Sequence, residues 1–152
     1  MLVPPQDESR ARKRGPKTSQ RHSQSVLLIE DDAWIRTFLR DVLSDEGFVV
    51  IEAADGKTGL NLAFEHCPDI VLLDLAMPEF TGMDVLHGLQ RMQRTRTIPV
   101  IVLSAYAAVL APADASAVAS VLAKPTDIPV LLDAIRDAVE SGAAKLRSVT
   151  KT

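Results

Sequence analysis

The sequence predicts a doubly wound α/β fold, a five-stranded parallel sheet flanked by five helices. Three observations carry that prediction. Short runs of consecutive aliphatic residues recur along the chain, as expected of strands covered on both faces. Between them, apolar residues repeat at helical spacing. Each strand-like run then ends in polar or charged residues, which places those residues on one rim of the sheet, where doubly wound proteins bind ligands.

Val26-Leu27-Leu28-Ile29 is the first strand. Ile35, Phe38, Leu39, Val42 and Leu43 follow at i, i+3, i+4, i+7 and i+8, a helix stripe that Asp32 can cap and Gly47 stops. Phe48-Val49-Val50-Ile51 is the second strand, and Asp55 can cap a helix carrying Leu60, Ala63 and Phe64. Asp69 to Leu73 is the third strand, with Val85, Leu86 and Leu89 marking a helix from Gly82 to about Gln93. Pro99 to Leu103 is the fourth and Ser120-Val121-Leu122 a short fifth. Between these two lies an Ala-rich stretch in which Pro112 limits any helix to a short or irregular one. Leu131, Ala134, Ile135, Ala138 and Val139 form the last helix stripe, capped by Asp127 with Pro129 in its first turn, and a polar tail is expected from about Ala143. Strands alternating with helices in this way leave little but right-handed crossovers and a parallel sheet.

Charge is unevenly distributed. The net charge of the 152 residues is −3, but residues 1–24 hold six basic and two acidic side chains, so a +4 leader precedes a −7 body. With few large apolar residues, the leader at 1–24 is read as a disordered basic tail. A basic run can contact nucleic acid or an acidic partner; a solubilising leader is the reading preferred here, and no nucleic-acid partner is expected. One cysteine, Cys67, excludes an intramolecular disulfide and any Cys-built metal site, and is read as a small buried hydrophobe. No apolar run is long enough for a signal or a membrane span, so a cytoplasmic setting without a membrane partner is expected. Met77, Met83 and Met92 are read as packing, and His22, His66 and His87 as surface residues rather than bases.

The strand ends bring together Glu30, Asp31 and Asp32, then Asp74, then Ser104, then Lys124-Pro125. Three carboxylates within about 4 Å of one another repel by several kcal/mol even at an effective dielectric near 20, so the cluster calls for a cation. With Glu30, Asp31 and Asp74 ionised and Lys124 protonated the formal charge is −2, which one divalent ion neutralises. All-oxygen ligands favour Mg²⁺. Carboxylate, Mg²⁺, lysine and hydroxyl without histidine suit phosphoryl transfer, which rests on positioning and charge neutralisation, and a carboxylate can itself be the nucleophile.

Ile29-Glu30-Asp31-Asp32, Leu73-Asp74-Leu75-Ala76-Met77-Pro78 with Gly82 eight positions after Asp74, Val102-Leu103-Ser104-Ala105, and Lys124-Pro125 together resemble the receiver domain of two-component response regulators over about residues 25–143. The resemblance implies a flavodoxin-like strand order 2-1-3-4-5. It implies that Asp74 is the phosphoacceptor, taking the group from a sensor histidine kinase or a histidine phosphotransfer protein. Asp31, Asp74 and the backbone carbonyl of Ala76 would hold Mg²⁺, with Glu30 acting largely through water. Lys124 would pair with Asp74 and the phosphoryl group, Ser104 would donate its hydroxyl to it, Ala105 would leave room, and a cis Lys124–Pro125 bond would aim the lysine. Asp32 is read as a helix cap only. A docking surface near Trp34, Ile35 and the Pro125 loop is also implied.

Two departures stand out. The family usually has an aromatic residue three positions before the lysine, where this chain has Val121. Ser104 and Lys124 are only 20 residues apart, which remodels the segment containing Pro112 and Tyr106; Tyr106 either gates the site or covers its rim. With 24 residues before the domain and nine after it, at 144–152, no output module is expected, and the chain reads as a stand-alone receiver acting through an unknown downstream protein or a phosphorelay, with homodimerisation left open. Three other readings compete with this one. A flavodoxin-like cofactor carrier is disfavoured because acids 30–32 would repel a cofactor phosphate. A haloacid-dehalogenase-type phosphatase would want an Asp where Ala76 stands. The runner-up is a receiver-like interaction module that signals without phosphate.

Overall fold

The fold was taken from a computed structural model that describes residues 23–105 and 110–151, with side chains followed to 142. Ten elements alternate along it: β1 (Ser25–Ile29), α1 (Ala33–Asp45), β2 (Val49–Ala53), α2 (Gly56–His66), β3 (Ile70–Asp74), α3 (Gly82–Arg91), β4 (Val100–Ser104), α4 (Pro112–Ala117), β5 (Ser120–Ala123) and α5 (Ile128–Lys151). The strands form one sheet in the order β2-β1-β3-β4-β5, and all four pairings are parallel.

The aliphatic runs form β1, β3 and β4 because both faces of these strands are covered. Successive residues of a strand point to opposite faces, which divides the core in two. On one face Val26, Leu28, Ile70, Leu72, Ile101 and Leu103 pack with Leu39 and Leu43 of α1 and with Leu131, Ile135 and Val139 of α5. On the other, Leu27, Ile29, Val71, Leu73, Val100 and Val102 pack with Ala63 of α2 and with Val85, Leu86 and Leu89 of α3. A one-residue slip of any central strand would exchange the two sets of side chains, so each register is fixed by packing on both sides.

The caps read from the sequence are present. Asp32 accepts from the Trp34 and Ile35 amides at 2.9 and 3.1 Å, Asp55 from Thr58 at 2.8 Å, and Gly47 takes φ +94° after α1. Hydrogen bonds from the Thr58 amide and hydroxyl hold the Asp55 carboxyl below its usual range. Thr81 and Asp84 form a reciprocal capping box at the start of α3.

Two expectations are corrected. Cys67 is exposed rather than buried; it is the C-cap of α2, in the left-handed conformation at φ +44°. The stretch from Ala143, expected as a polar tail, is helical to Lys151; Ala, Lys, Leu and Arg between 143 and 147 are strong helix formers and extend α5 to 24 residues, about 36 Å. His87 is not an isolated surface residue, since its Nε2 lies 3.1 Å from Asp114 Oδ1 and ties α3 to the six-residue α4. The leader and Tyr106 lie outside the described residues.

Winding reverses between β1 and β3, so their carboxyl ends open the crevice where a ligand would sit. Gly82 sets how closely α3 approaches it. A Cβ there would stand 2.5 Å from both the Asp74 carbonyl oxygen and the Leu75 Cα, main-chain atoms that cannot swing aside. Gly82→Ala is therefore expected to cost about 1–3 kcal/mol or more by overpacking, read as a lower urea midpoint with the slope unchanged.

Candidate functional site

The site is built where the two central strands run out of partners. Glu30 follows β1 and still belongs to the sheet, its amide donating to the Ala53 carbonyl at 3.1 Å. Asp74 closes β3, opposite Leu103 of β4. Both side chains are buried, at 1% and 3% exposure, whereas Asp31 is exposed. One carboxylate oxygen from each of Glu30, Asp31 and Asp74 can be chosen so that all three lie within 4.8 Å, a cluster able to hold a metal ion.

Lys124 arrives from the far side, after β5. Its Nζ donates to Glu30 Oε1 at 2.9 Å and lies 3.2 Å from Asp74 Oδ1. Its own amide donates to the Ser104 carbonyl at 3.0 Å, which joins the β4 and β5 ends, and the Lys124–Pro125 peptide is cis. Ser104 is buried at the end of β4. The four strand ends singled out in the sequence thus share one rim. Asp32 stands apart from this group as the cap of α1, and the half-buried Val121 packs against the core, an aliphatic side chain at the position where the family usually has an aromatic ring.

Electrostatics follow from burial. Burial raises the Glu30 carboxyl; Lys124 and the Asp32 amide oppose it, Asp74 reinforces it, and the balance is about 7, well above an ordinary carboxyl near 4.5. Burial also works to lower the Lys124 ammonium, but the hydrogen bond and attraction of Glu30, together with Asp74, overcome it and leave Lys124 above its usual value. The lysine is therefore a fixed positive charge. Asp74 Oδ1 also accepts from the Ala76 amide at 3.1 Å, which turns the following loop back toward the carboxylate. That loop continues through Glu79 at φ +62° to the α3 cap.

Arg36 was not singled out in the sequence. Its Nη1 donates to the carbonyls of Glu30 at 2.7 Å and Asp31 at 3.5 Å, and its Nε lies 3.5 Å from Glu52 Oε1. A basic residue one turn into the helix after an acidic strand end is the signal that could have found it, although by itself the spacing does not distinguish such a contact from a solvated arginine.

Beside the acids, α1 exposes two large apolar side chains at i and i+4, Trp34 at 86% and Phe38 at 54%. Among the described residues no helix is long and apolar enough to cross a membrane.

Comparison with known proteins agrees with this geometry. The response regulator receiver domain family matches residues 26–136. The polar-differentiation response regulator DivK of Brucella ovis is 35% identical over 85 residues, covering 56% of this chain and 69% of the relative. A response regulator receiver domain structure from Clostridium thermocellum superposes with a TM-score of 0.70 at 26% identity, over 80% of this chain and 98% of that one. The receiver domain of a sensor histidine kinase from Pseudomonas aeruginosa, solved with a magnesium ion coordinated in its active-site cleft, gives a TM-score of 0.71 at 24% identity, covering 78% and 99%. The fold, the order of its motifs and the acidic pocket they build place this chain in the response regulator receiver family, signalling modules of two-component systems.

Proposed function

We propose that this receiver accepts a phosphoryl group on Asp74 from the phosphohistidine of a sensor histidine kinase or a histidine phosphotransfer protein, in a Mg²⁺-dependent reaction. The observation that carries this reading is the buried Asp74 carboxylate held 3.2 Å from an ammonium, with two further carboxylates in reach. The donor set fits the metal: three carboxylates against one lysine leave a formal −2, all ligand atoms are oxygen, and no histidine or cysteine is among them. Glu30, Asp31, Asp74 and the Ala76 carbonyl would hold the ion. When bound, Mg²⁺ neutralises negative charge on the phosphoryl oxygens.

The chain's own residues do the rest. An Asp74 carboxylate oxygen forms the new bond to phosphorus while the donor's P–N bond breaks and its electron pair returns to the imidazole. Lys124, already charged, stays beside Asp74 and offsets the phosphoryl charge. Ser104, at the end of the neighbouring strand, supplies a hydroxyl to a phosphoryl oxygen. Burial of Asp74 limits water at the acyl phosphate, and the exposed Trp34 and Phe38 give the donor an apolar surface beside the rim. The signal then leaves by partner docking or by passing the phosphoryl group on, in a cytoplasmic setting.

Incubation with Mg²⁺ and acetyl phosphate is expected to add one phosphoryl mass to the wild type and none to Asp74→Ala, with Lys124→Ala phosphorylated much more slowly. Mass spectrometry of the intact chain reads this, and incorporation that survives Asp74→Ala sinks the nucleophile assignment.

Metal binding should depend on pH in a stated direction. Since the Glu30 carboxyl is raised in the folded chain, its contribution to stability is present below its ordinary value near 4.5 and is lost as pH rises through about 7. Mg²⁺ competes with that proton, so the thermal shift produced by Mg²⁺ should be larger at pH 8 than at pH 5.5. Glu30→Gln should flatten the difference. A wild-type Mg²⁺ shift equal at the two pH values would count against Glu30 as part of the metal pocket.

A further inference from the structure

We propose that Arg36 is a positioning residue for the metal-binding acids, acting on their main chain from behind the site; this rests on the metal reading above. The Arg36 side chain reaches two consecutive residues at the β1–α1 turn. Its guanidinium donates to the Glu30 and Asp31 carbonyls, while its amide makes the ordinary first helical bond to the Asp32 carbonyl at 2.9 Å. The other side of the guanidinium is anchored on β2, where Nε pairs with Glu52 Oε1 and Arg40 Nη1 holds the second Glu52 oxygen at 3.5 Å. The Arg36 side chain is 19% exposed and that of Glu52 31%, so this bracket is partly sheltered from solvent.

The two acids depend on the bracket to different degrees. Glu30 is held directly, by Lys124 and by the Asp32 amide at 3.2 Å. Asp31 is exposed, and its carboxylate accepts no hydrogen bond from a described residue. What aims Asp31 at the cluster is therefore its backbone, and Arg36 holds the carbonyls on both sides of that backbone unit. A flat fork with several donors can bridge two carbonyls and a carboxylate at once, whereas a lysine presents a single point charge. Outer partners that orient metal ligands typically carry a 10- to 100-fold share of metal affinity.

Charge alone predicts the opposite sign. A guanidinium near a cation site repels the cation, so deleting it would tighten Mg²⁺ binding if Arg36 acted only through its field. Positioning predicts weakening. Mg²⁺ affinity is to be measured by Trp34 fluorescence and by titration calorimetry on the full chain, for the wild type, Arg36→Met, Arg36→Lys and Glu52→Gln, with thermal melts to establish folding. The expected result is a loss of about 10-fold or more in Arg36→Met, only partial recovery in Arg36→Lys, and a smaller loss in Glu52→Gln, which keeps the arginine but removes its anchor. Affinity in Arg36→Met equal to or tighter than the wild type overturns the proposal. Should that variant not fold, unchanged affinity in Glu52→Gln overturns it instead. A wild type that binds no Mg²⁺ overturns the reading of the site itself and this inference with it, whereas a wild type that binds beside an equally competent Arg36→Met overturns only the inference.

Discussion

Two buried carboxylates cannot share a crevice at the centre of an apolar sheet without a positive charge between them. Lys124 supplies it, and much of the remaining architecture serves to bring it there. β5 has only four residues, yet it carries the lysine from the sheet edge to within 2.9 Å of Glu30 and 3.2 Å of Asp74. Removing the ammonium would leave both desolvated acids without a counter-charge, the situation in which breaking a buried pair costs several kcal/mol. The contact spans 94 residues of sequence to Glu30, so the strand order and both central registers must be correct before it can form.

The surroundings keep that arrangement under tension rather than at rest. Glu30 is not stabilised as an anion, because burial outweighs the help of Lys124. A proton held on Glu30 competes with a cation for the pocket, so the burial that raises this carboxyl also weakens its hold on a metal at low pH. Stability and ligand affinity are therefore set against each other here, as is common where a site is held together by the fold around it.

The strands and the rim were legible because their signals are local and repeated. An unbroken aliphatic run such as Val26 to Ile29 admits few folded environments, and acids placed just after such runs fall at one sheet edge by topology alone. The sequence also showed Asp32 as a cap, since capping is decided within three residues. What was not legible depends on orientation or distance. Cys67 is exposed at the left-handed C-cap of α2, a placement that its residue type does not announce. The end of α5 contains polar residues that solvate a helix as readily as a coil. Arg36 looks like any helical arginine until β2 is placed alongside it, and His87 meets Asp114 across 27 residues and two elements.

The hydrogen atom at Cα of Gly82 marks a limit on what sequences can occupy this scaffold. The loop from Asp74 to Gly82 must start at a strand end and finish with a helix lying directly on the backbone it left. Any larger residue at its end would press α3 away from the Asp74 and Leu75 main chain. Mutational paths at this position are therefore narrow in side-chain size.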